Sequence, residues 1–133
     1  MATDVRMLLE RDRFAAAAGI ELVEVTEGRA RAEMVVGPSH LNGVDVVQGG
    51  ALFTLADCAF AAACNSHDRV AVAIDVSISF VKGVSSGRLV AEAREEALTE
   101  RLSTCLVRVT DAAGDLVALF KGTAYRKKPS RDR

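Results

Sequence analysis

The chain has 133 residues, enough for one hydrophobic core but not for two, so we expect a single domain over residues 1–133. Apolar residues make up 50% and charged residues 26% of the sequence, a balance that is typical of globular proteins and excludes a disordered chain. The formal net charge of -1 excludes the strong positive field that recruits nucleic acid or an anionic membrane surface.

The N-terminal segment from Asp4 to Ala18 has the spacing of an amphipathic helix, which Gly19 ends. Its charged residues leave no apolar signal region, and the longest apolar stretch of the chain is too short to span a bilayer. Three cysteines without a CxxC pair indicate reduced thiols in a reducing compartment. We therefore expect a cytoplasmic protein that binds no membrane.

Two alternating segments follow, and they predict strands over Ile20–Thr26 and Arg29–Val36, joined by a turn at Glu27-Gly28. Gly37-Pro38-Ser39 breaks the alternation. A polar loop without a convincing period then runs from His40 to Gln48.

Gly49-Gly50 precede the next segment, Ala51–Asn65, which carries apolar residues on every side. This pattern predicts a helix that is buried all round. The rest of the chain predicts a meander of four strands, Val70–Lys82, Arg88–Ala97, Arg101–Thr110 and Leu116–Tyr125. The C-terminal basic residues are interpreted as a solvated tail, flexible over residues 128–133, in preference to a binding patch. They are Arg126, Lys127, Lys128, Arg131 and Arg133.

These elements predict an α+β fold in which a sheet of about six strands wraps around one central apolar helix, because a short helix cannot cover so large a sheet face from outside. The N-terminal helix is apolar on one side only. We expect it to lie outside this core or at its edge.

Asp57 is the one charged residue between Gly49 and Cys64. A carboxylate in apolar surroundings is costly, so it is normally paired, protonated or functional. Asp57 is therefore either a structural group that meets a basic side chain or caps a loop, or the catalytic carboxylate of a site. The residues alone leave both interpretations open.

The double glycine favours the functional interpretation. A helix start presents unpaired N–H groups and the positive end of the helix dipole, and Gly49 and Gly50 leave these groups open to a ligand oxygen. Asp57 lies on the same helix face as Gly50 but roughly 10 Å away along the axis. One carbonyl cannot touch both within one helix, so a shared site requires a second subunit related by a twofold axis.

The loop before the helix supplies further polar candidates. Asn42 and Gln48 can orient a water molecule or a substrate carbonyl, although Asn42 beside Gly43 is equally consistent with a turn residue. His40 is interpreted as a loop or capping residue, and His67 as solvated. The spacing of residues indicates no catalytic Ser-His-Asp order, metal site or nucleotide motif, so we expect neither metal nor cofactor.

Several segments resemble the hotdog-fold thioesterases of the phenylacetic acid degradation type. The specific part is the spacing from Gln48-Gly49-Gly50 to Leu55-Ala56-Asp57. Three further segments also match it, His40-Leu41-Asn42-Gly43, Ala61-Ala62-Ala63-Cys64-Asn65-Ser66 and Val117–Tyr125. The resemblance implies a hotdog fold, a homodimer at minimum and in the expected case a homotetramer, and acyl-CoA substrates.

The resemblance also implies roles for individual residues. Asp57 acts as nucleophile or general base, the Gly49 amide donates to the oxyanion, and Asn42 places water or the carbonyl. Lys82 matches a basic residue that lies near CoA. Phe53, Phe60, Val76, Ile78 and Phe80 either line the acyl pocket or are plain core, and of these Phe53 and Phe80 are our expected contacts beside Gly50.

Three positions depart from the family pattern. Gln48 replaces a usual histidine and cannot carry a proton, Asp45 replaces a usual loop glycine, and Asp75 replaces a small or hydroxyl residue on the strand after the helix. The leading interpretation is hydrolysis of a small aryl or short- to medium-chain acyl-CoA. A non-catalytic acyl-CoA-binding module is the alternative, and a hydratase or a purely structural oligomer is less favoured.

Overall fold

The computed structural model describes Met7 and residues 10–129. The elements along this part of the chain are helix α1 (Arg13–Ala17), strands β1 (Ile20–Thr26) and β2 (Arg29–Val35), a 3-10 turn (Pro38–His40), helix α2 (Gly49–Cys64), and strands β3 (Ala71–Phe80), β4 (Arg88–Leu98), β5 (Leu102–Thr110) and β6 (Leu116–Arg126). The predicted strands are confirmed to within two residues at each end. None of the described helices is long and apolar enough to cross a membrane.

The six strands form one antiparallel sheet in the order β1-β2-β4-β5-β6-β3. The predicted meander of four strands is therefore wrong in one respect. Strands β4, β5 and β6 follow one another, but β3 pairs with β6 at the far edge of the sheet. The alternation of apolar and polar residues identifies a strand but not the strand with which it pairs. The partner of β3 depends on where the chain enters the sheet after α2.

Helix α2 packs against the inner face of the sheet through small side chains. Ala56, Ala59 and Ala62 are fully buried on the helix, and alanines of β2 and β4 are buried opposite them. Phe60 lies directly over Gly122 of β6, where an added Cβ would come within 2.8 Å of the ring. Such close packing fixes the position of the helix on the sheet, because interiors at this density tolerate little displacement.

The helix is not buried all round, which corrects the sequence expectation. One side carries Gly50 and Phe53, which are exposed, and Thr54, Asp57 and Ala61, which are partly exposed. Their spacing of three and four residues places them along a single stripe. Composition did not reveal this stripe because most of its members are small or apolar. Asp57 therefore faces outward from the core.

The N-terminal helix is interrupted. Asp12 caps α1, since its Oδ1 accepts a hydrogen bond from Ala15 N at 3.0 Å, and Met7 and Glu10 are helical before this break. The predicted continuous helix from Asp4 to Ala18 is therefore wrong at Asp12. Residues 4–6 and 8–9 of the predicted helix lie outside the described part of the chain. An Asp that caps a new helix start competes with helix continuation.

The basic C-terminal segment begins inside the fold. Arg126 belongs to β6 and is buried, and its Nη1 donates to Thr99 O at 2.7 Å. The interpretation of Arg126 as part of a solvated tail is therefore wrong. Lys127 and Lys128 follow the strand and are exposed, whereas residues 130–133 lie outside the described part of the chain.

The side chain of His67 is only 9% exposed, so the expectation that it is solvated is wrong. Its Nε2 lies 2.8 Å from Glu95 Oε1 and its Nδ1 lies 3.4 Å from Glu27 Oε1. Ser103 donates its hydroxyl to the other carboxylate oxygen of Glu95. These groups tie the end of α2 to the turn before β2 and to the sheet, because each buried polar group is satisfied by the next.

Glu95→Ala should destabilise the protein by about 3 kcal/mol, because it removes the hydrogen-bond partner of His67 Nε2 and of the Ser103 hydroxyl, which both lie in the interior. Arg94→Ala removes the neighbouring exposed ion pair with Glu96 and should cost less than about 0.5 kcal/mol. Urea unfolding of both variants measures the difference. Equal losses would show that the buried network does not stabilise this end of the helix.

Candidate active site

The start of α2 leaves one backbone donor open. The side chain of Gln48 caps the helix, with Oε1 accepting from Gly50 N at 2.7 Å. Gln48 O accepts from Ala51 N and Leu52 N. Gly49 N–H has no hydrogen-bond acceptor among the described residues. It therefore combines an open donor with the positive end of the helix dipole, which suits an oxyanion.

The two glycines have different neighbours. A Cβ on Gly49 would lie 2.9 Å from Phe80 Cζ, so the glycine lets the ring of Phe80 approach the helix start. A Cβ on Gly50 would lie 2.5 Å from Gln48 Oε1, so that glycine makes room for the cap. Gln48 thus acts as a structural cap through its Oε1, and its role toward a substrate carbonyl stays a prediction.

Two clefts flank the start of α2. One of about 320 Å³ is lined by residues that include Gly49, Phe80 and Lys82. The other, about 680 Å³, is bordered by α1, the 3-10 turn and the first turns of α2. The helix start therefore forms a ridge that a ligand can straddle, with Gly49 N–H on the ridge.

Asp57 has neither an ion-pair nor a hydrogen-bond partner among the described residues. Burial raises the pKa of its carboxyl above the ordinary value of 3.8, and the negative charge of Asp12 raises it further. The structural alternative, in which a basic side chain pairs with Asp57, does not hold in this part of the chain. A half-buried carboxylate without compensation is costly, so it is typical of functional groups.

Gly49 and Asp57 are both on α2 and eight residues apart, which corresponds to about 12 Å along the axis. One thioester carbonyl cannot contact both groups of the same helix. A site that uses both needs the carboxylate or the amide from a second copy of the chain.

Asn42 organises the loop before the helix. Its Oδ1 accepts from Val44 N at 3.0 Å and from Val46 N at 3.1 Å. Within this turn Asp45 has a φ of 61°, a left-handed conformation that glycine adopts easily and Asp tolerates. Asn42 is therefore a turn residue. Its role in placing water stays a prediction, and the side-chain N–H groups are the part of Asn42 that is left for that role.

Lys82 is held by two carboxylates, with Nζ 2.6 Å from Asp111 Oδ2 and 2.7 Å from Asp115 Oδ2. These contacts raise the pKa of Lys82 to about 12, so the side chain is charged. The two carboxylates carry more charge than the one ammonium group, however, so the net charge of this cluster is negative. A CoA phosphate would have to displace at least one of them.

The aromatic candidates separate into core and surface. Phe60 is buried and its ring contacts that of Phe120 in a tilted arrangement, with the centroids 5.6 Å apart, whereas Phe53 and Phe80 are exposed by 37% and 57%. Val76 and Ile78 share the inner face of β3 with Phe80, since they pair with Gly122 and Phe120 of β6. Asp75 pairs with Thr123 on the opposite face and is exposed. In this chain it does not face α2.

Cys58, next to Asp57, is a buried free thiol. Burial, followed by the charges of Asp12 and Asp57, raises the pKa of Cys58 to about 11. Because the thiolate is the reactive form, this thiol is inert at neutral pH. Asp57 is therefore the one candidate nucleophile or base at this place on α2.

The fold is of the hotdog type, in which Gly49 and Asp57 form the candidate site, and comparison with known proteins identifies the family. The model of the thioesterase superfamily matches residues 45–118. A candidate esterase of Archaeoglobus fulgidus is 49% identical over 106 residues, which cover 79% of this chain and 69% of that protein.

The acyl-coenzyme A thioesterase PaaI of Escherichia coli is 36% identical over 120 residues, or 90% of this chain and 86% of that protein. Its solved structure superposes with a TM-score of 0.89 at 33% identity and covers 94% of this chain and 91% of the other. The chain therefore belongs to the thioesterase superfamily, has the hotdog fold and is a thioester hydrolase.

Asp57→Asn should stabilise the protein at pH 7, because burial makes the charged carboxylate unfavourable in the folded state. An acid whose pKa is raised on folding loses stability as the pH rises above its unfolded value, so the gain should vanish below about pH 3.8. Thermal unfolding from pH 3 to 8 measures it.

Asp111→Asn is the control of opposite sign. Lys82 lowers the pKa of Asp111, so this variant should lose stability at neutral pH and match the wild type in acid. A loss of stability in Asp57→Asn at pH 7 would contradict the unpaired state of that carboxylate.

Proposed function

We propose that the protein hydrolyses acyl-CoA thioesters of small aryl or short- to medium-chain acids, with Asp57 as the catalytic carboxylate. The observation that carries the proposal is that α2 presents two groups of this kind. One is the open N–H of Gly49 at the helix start, and the other is the uncompensated carboxylate of Asp57, whose pKa is raised. The relationship to an acyl-coenzyme A thioesterase supports the choice of substrate.

In this mechanism the thioester carbonyl oxygen accepts a hydrogen bond from Gly49 N–H. The carboxylate of Asp57 either takes a proton from the attacking water or attacks the carbonyl carbon itself. The tetrahedral oxyanion is stabilised by the amide and the helix dipole. If water attacks, the C–S bond breaks and CoA leaves as the thiol with the proton that Asp57 took from the water. If Asp57 attacks, the C–S bond breaks to leave a mixed anhydride between the acyl group and Asp57, and the CoA thiolate takes a proton from solvent. Water then hydrolyses this anhydride and releases the free acid and the Asp57 carboxylate. A raised pKa strengthens Asp57 as a base.

The second subunit of the site is expected to join along β3. This edge strand has one charged residue, Asp75, and neither lysine nor proline, the groups that usually block an open edge. Val72 and Ile74 are exposed on it by 43% and 59%. We infer a homodimer formed through this edge, and a homotetramer as the further assembly.

The proposal also gives roles to the remaining candidate residues. Gln48 holds the helix start, and the side-chain N–H groups of Asn42 and Gln48 are left for water or carbonyl. Lys82 is our candidate for a CoA phosphate contact, in exchange for one of its acids. Three buried free thiols support a cytoplasmic, reducing location.

Gly49→Pro tests the oxyanion donor, because proline removes the N–H but fits the first position of a helix. Gln48 has φ -65° and ψ 139°, a conformation that proline favours in the residue before it. The kcat for acyl-CoA should fall by about 10²–10³. Gly49→Ala adds the same Cβ near Phe80 but keeps the N–H, and should retain most activity. Equal losses would assign the effect to the ring.

Mixing two inactive variants tests the shared site. Asp57→Asn should lower the release of CoA thiol, followed with DTNB, by at least about 100-fold. Unfolding and refolding it together with Gly49→Pro would create mixed dimers that contain one intact Asp57 facing one intact Gly49. Activity should return to about a quarter of the wild-type value.

The absence of rescue would place the complete site within one chain and contradict the proposed dimer. Tight binding of acyl-CoA by the wild type, with no thiol release from any substrate tested, would instead support the non-catalytic binding module.

A further inference from the structure

We propose that helix α1 forms the wall of the acyl pocket and that Phe14 selects for apolar, uncharged acyl groups. The inference rests on the proposed function, since it divides the substrate between the two clefts beside Gly49. The amphipathic spacing of the N-terminal helix does not by itself distinguish Phe14 from the other apolar residues of that segment.

The cleft of about 680 Å³ extends from the start of α2 to α1, a size typical of small-molecule pockets. Phe14 lies on its α1 side and Phe53 on its α2 side, and they are exposed by 73% and 37%. Gly50 also lines it, so the cleft begins at the helix start. An acyl group attached to a carbonyl at Gly49 would lie between the two aromatic rings.

The lining excludes charged acyl groups. Among its described residues there is no Asp, Glu, Lys or Arg, so a second carboxylate on the substrate would find no counter-ion. Thr54 Oγ1 already donates to Gly50 O at 2.7 Å. Burying an uncompensated carboxylate here would be costly.

His40, the one titratable side chain of this cleft, is also committed. Its Nε2 donates to Ala18 O, 2.6 Å away, and its Nδ1 accepts from Gly37 N at 2.9 Å. This arrangement requires the neutral ring and holds the end of α1 against the loop before α2. It therefore fixes the wall that carries Phe14 and leaves no ring nitrogen for a substrate.

The opposite cleft suits the other half of the substrate. Lys82 lines this space of about 320 Å³, and its ammonium group would contact a CoA phosphate in exchange for Asp111 or Asp115. An anionic CoA chain and an apolar acyl group thus leave the helix start in opposite directions. The exposed ring of Phe14, which no core packing requires, then gains a function as one wall of this cleft.

Phe14→Ala should lower kcat/KM for octanoyl-CoA and phenylacetyl-CoA by about tenfold, the scale of a lost apolar contact, and leave acetyl-CoA unchanged. Ala17→Phe, which narrows the same cleft, should also disfavour octanoyl-CoA relative to acetyl-CoA. Succinyl-CoA should be a poor substrate for the wild type. Initial rates of thiol release give all of these ratios.

Leu98→Ala is the matched control, because Leu98 is an exposed apolar residue at the end of β4 that lines neither cleft. Its loss should change none of the ratios. Unchanged acyl selectivity in Phe14→Ala would overturn the inference while the hydrolase function stands. Efficient hydrolysis of succinyl-CoA would also overturn it. If the wild type released thiol from no acyl-CoA, the proposed function would fail and this inference with it.

Discussion

The close packing of α2 on the inner face of the sheet is the constraint on which the site depends. Ala56, Ala59 and Ala62 on the helix are fully buried, as are Ala32 of β2 and Ala91 of β4. The ring of Phe60 lies so close to Gly122 that a larger residue there would collide with it. A helix held this tightly cannot rotate. The core therefore fixes which residues point outward, and those are Gly50, Phe53 and Asp57, while the helix start is held open beside Phe80.

Two acidic residues illustrate how the fold separates structural from catalytic carboxylates. Glu95 is buried with His67 and Ser103 as its partners, so its charge is compensated and it stabilises the end of α2. Asp57, at the middle of the same helix, has no such partner in the described chain and carries a raised pKa. The unfavourable free energy of burying the Asp57 carboxylate is offset by the packing of the surrounding core. The fold can therefore hold a carboxylate that is active as a base.

Much of the fold was predictable because it is encoded locally. Alternating apolar residues located the six strands within two positions, and the apolar run after Gly49-Gly50 located α2. The resemblance placed Asp57 and Gly49 together as a candidate site, and the axial rise of a helix already required two chains to use both. These inferences needed only the period of the sequence and the geometry of a helix.

The sequence by itself determined where the elements lie, that one carboxylate stands alone on α2, and that glycines open the helix. Only the tertiary structure decided that β3 pairs with β6, that Asp57 faces outward, that the side chain of His67 is largely buried, and that Lys82 is held by Asp111 and Asp115. The physical reason is that periodicity reports which side of an element is apolar, whereas strand partners, ion pairs and clefts join residues far apart in the chain and depend on how the elements pack.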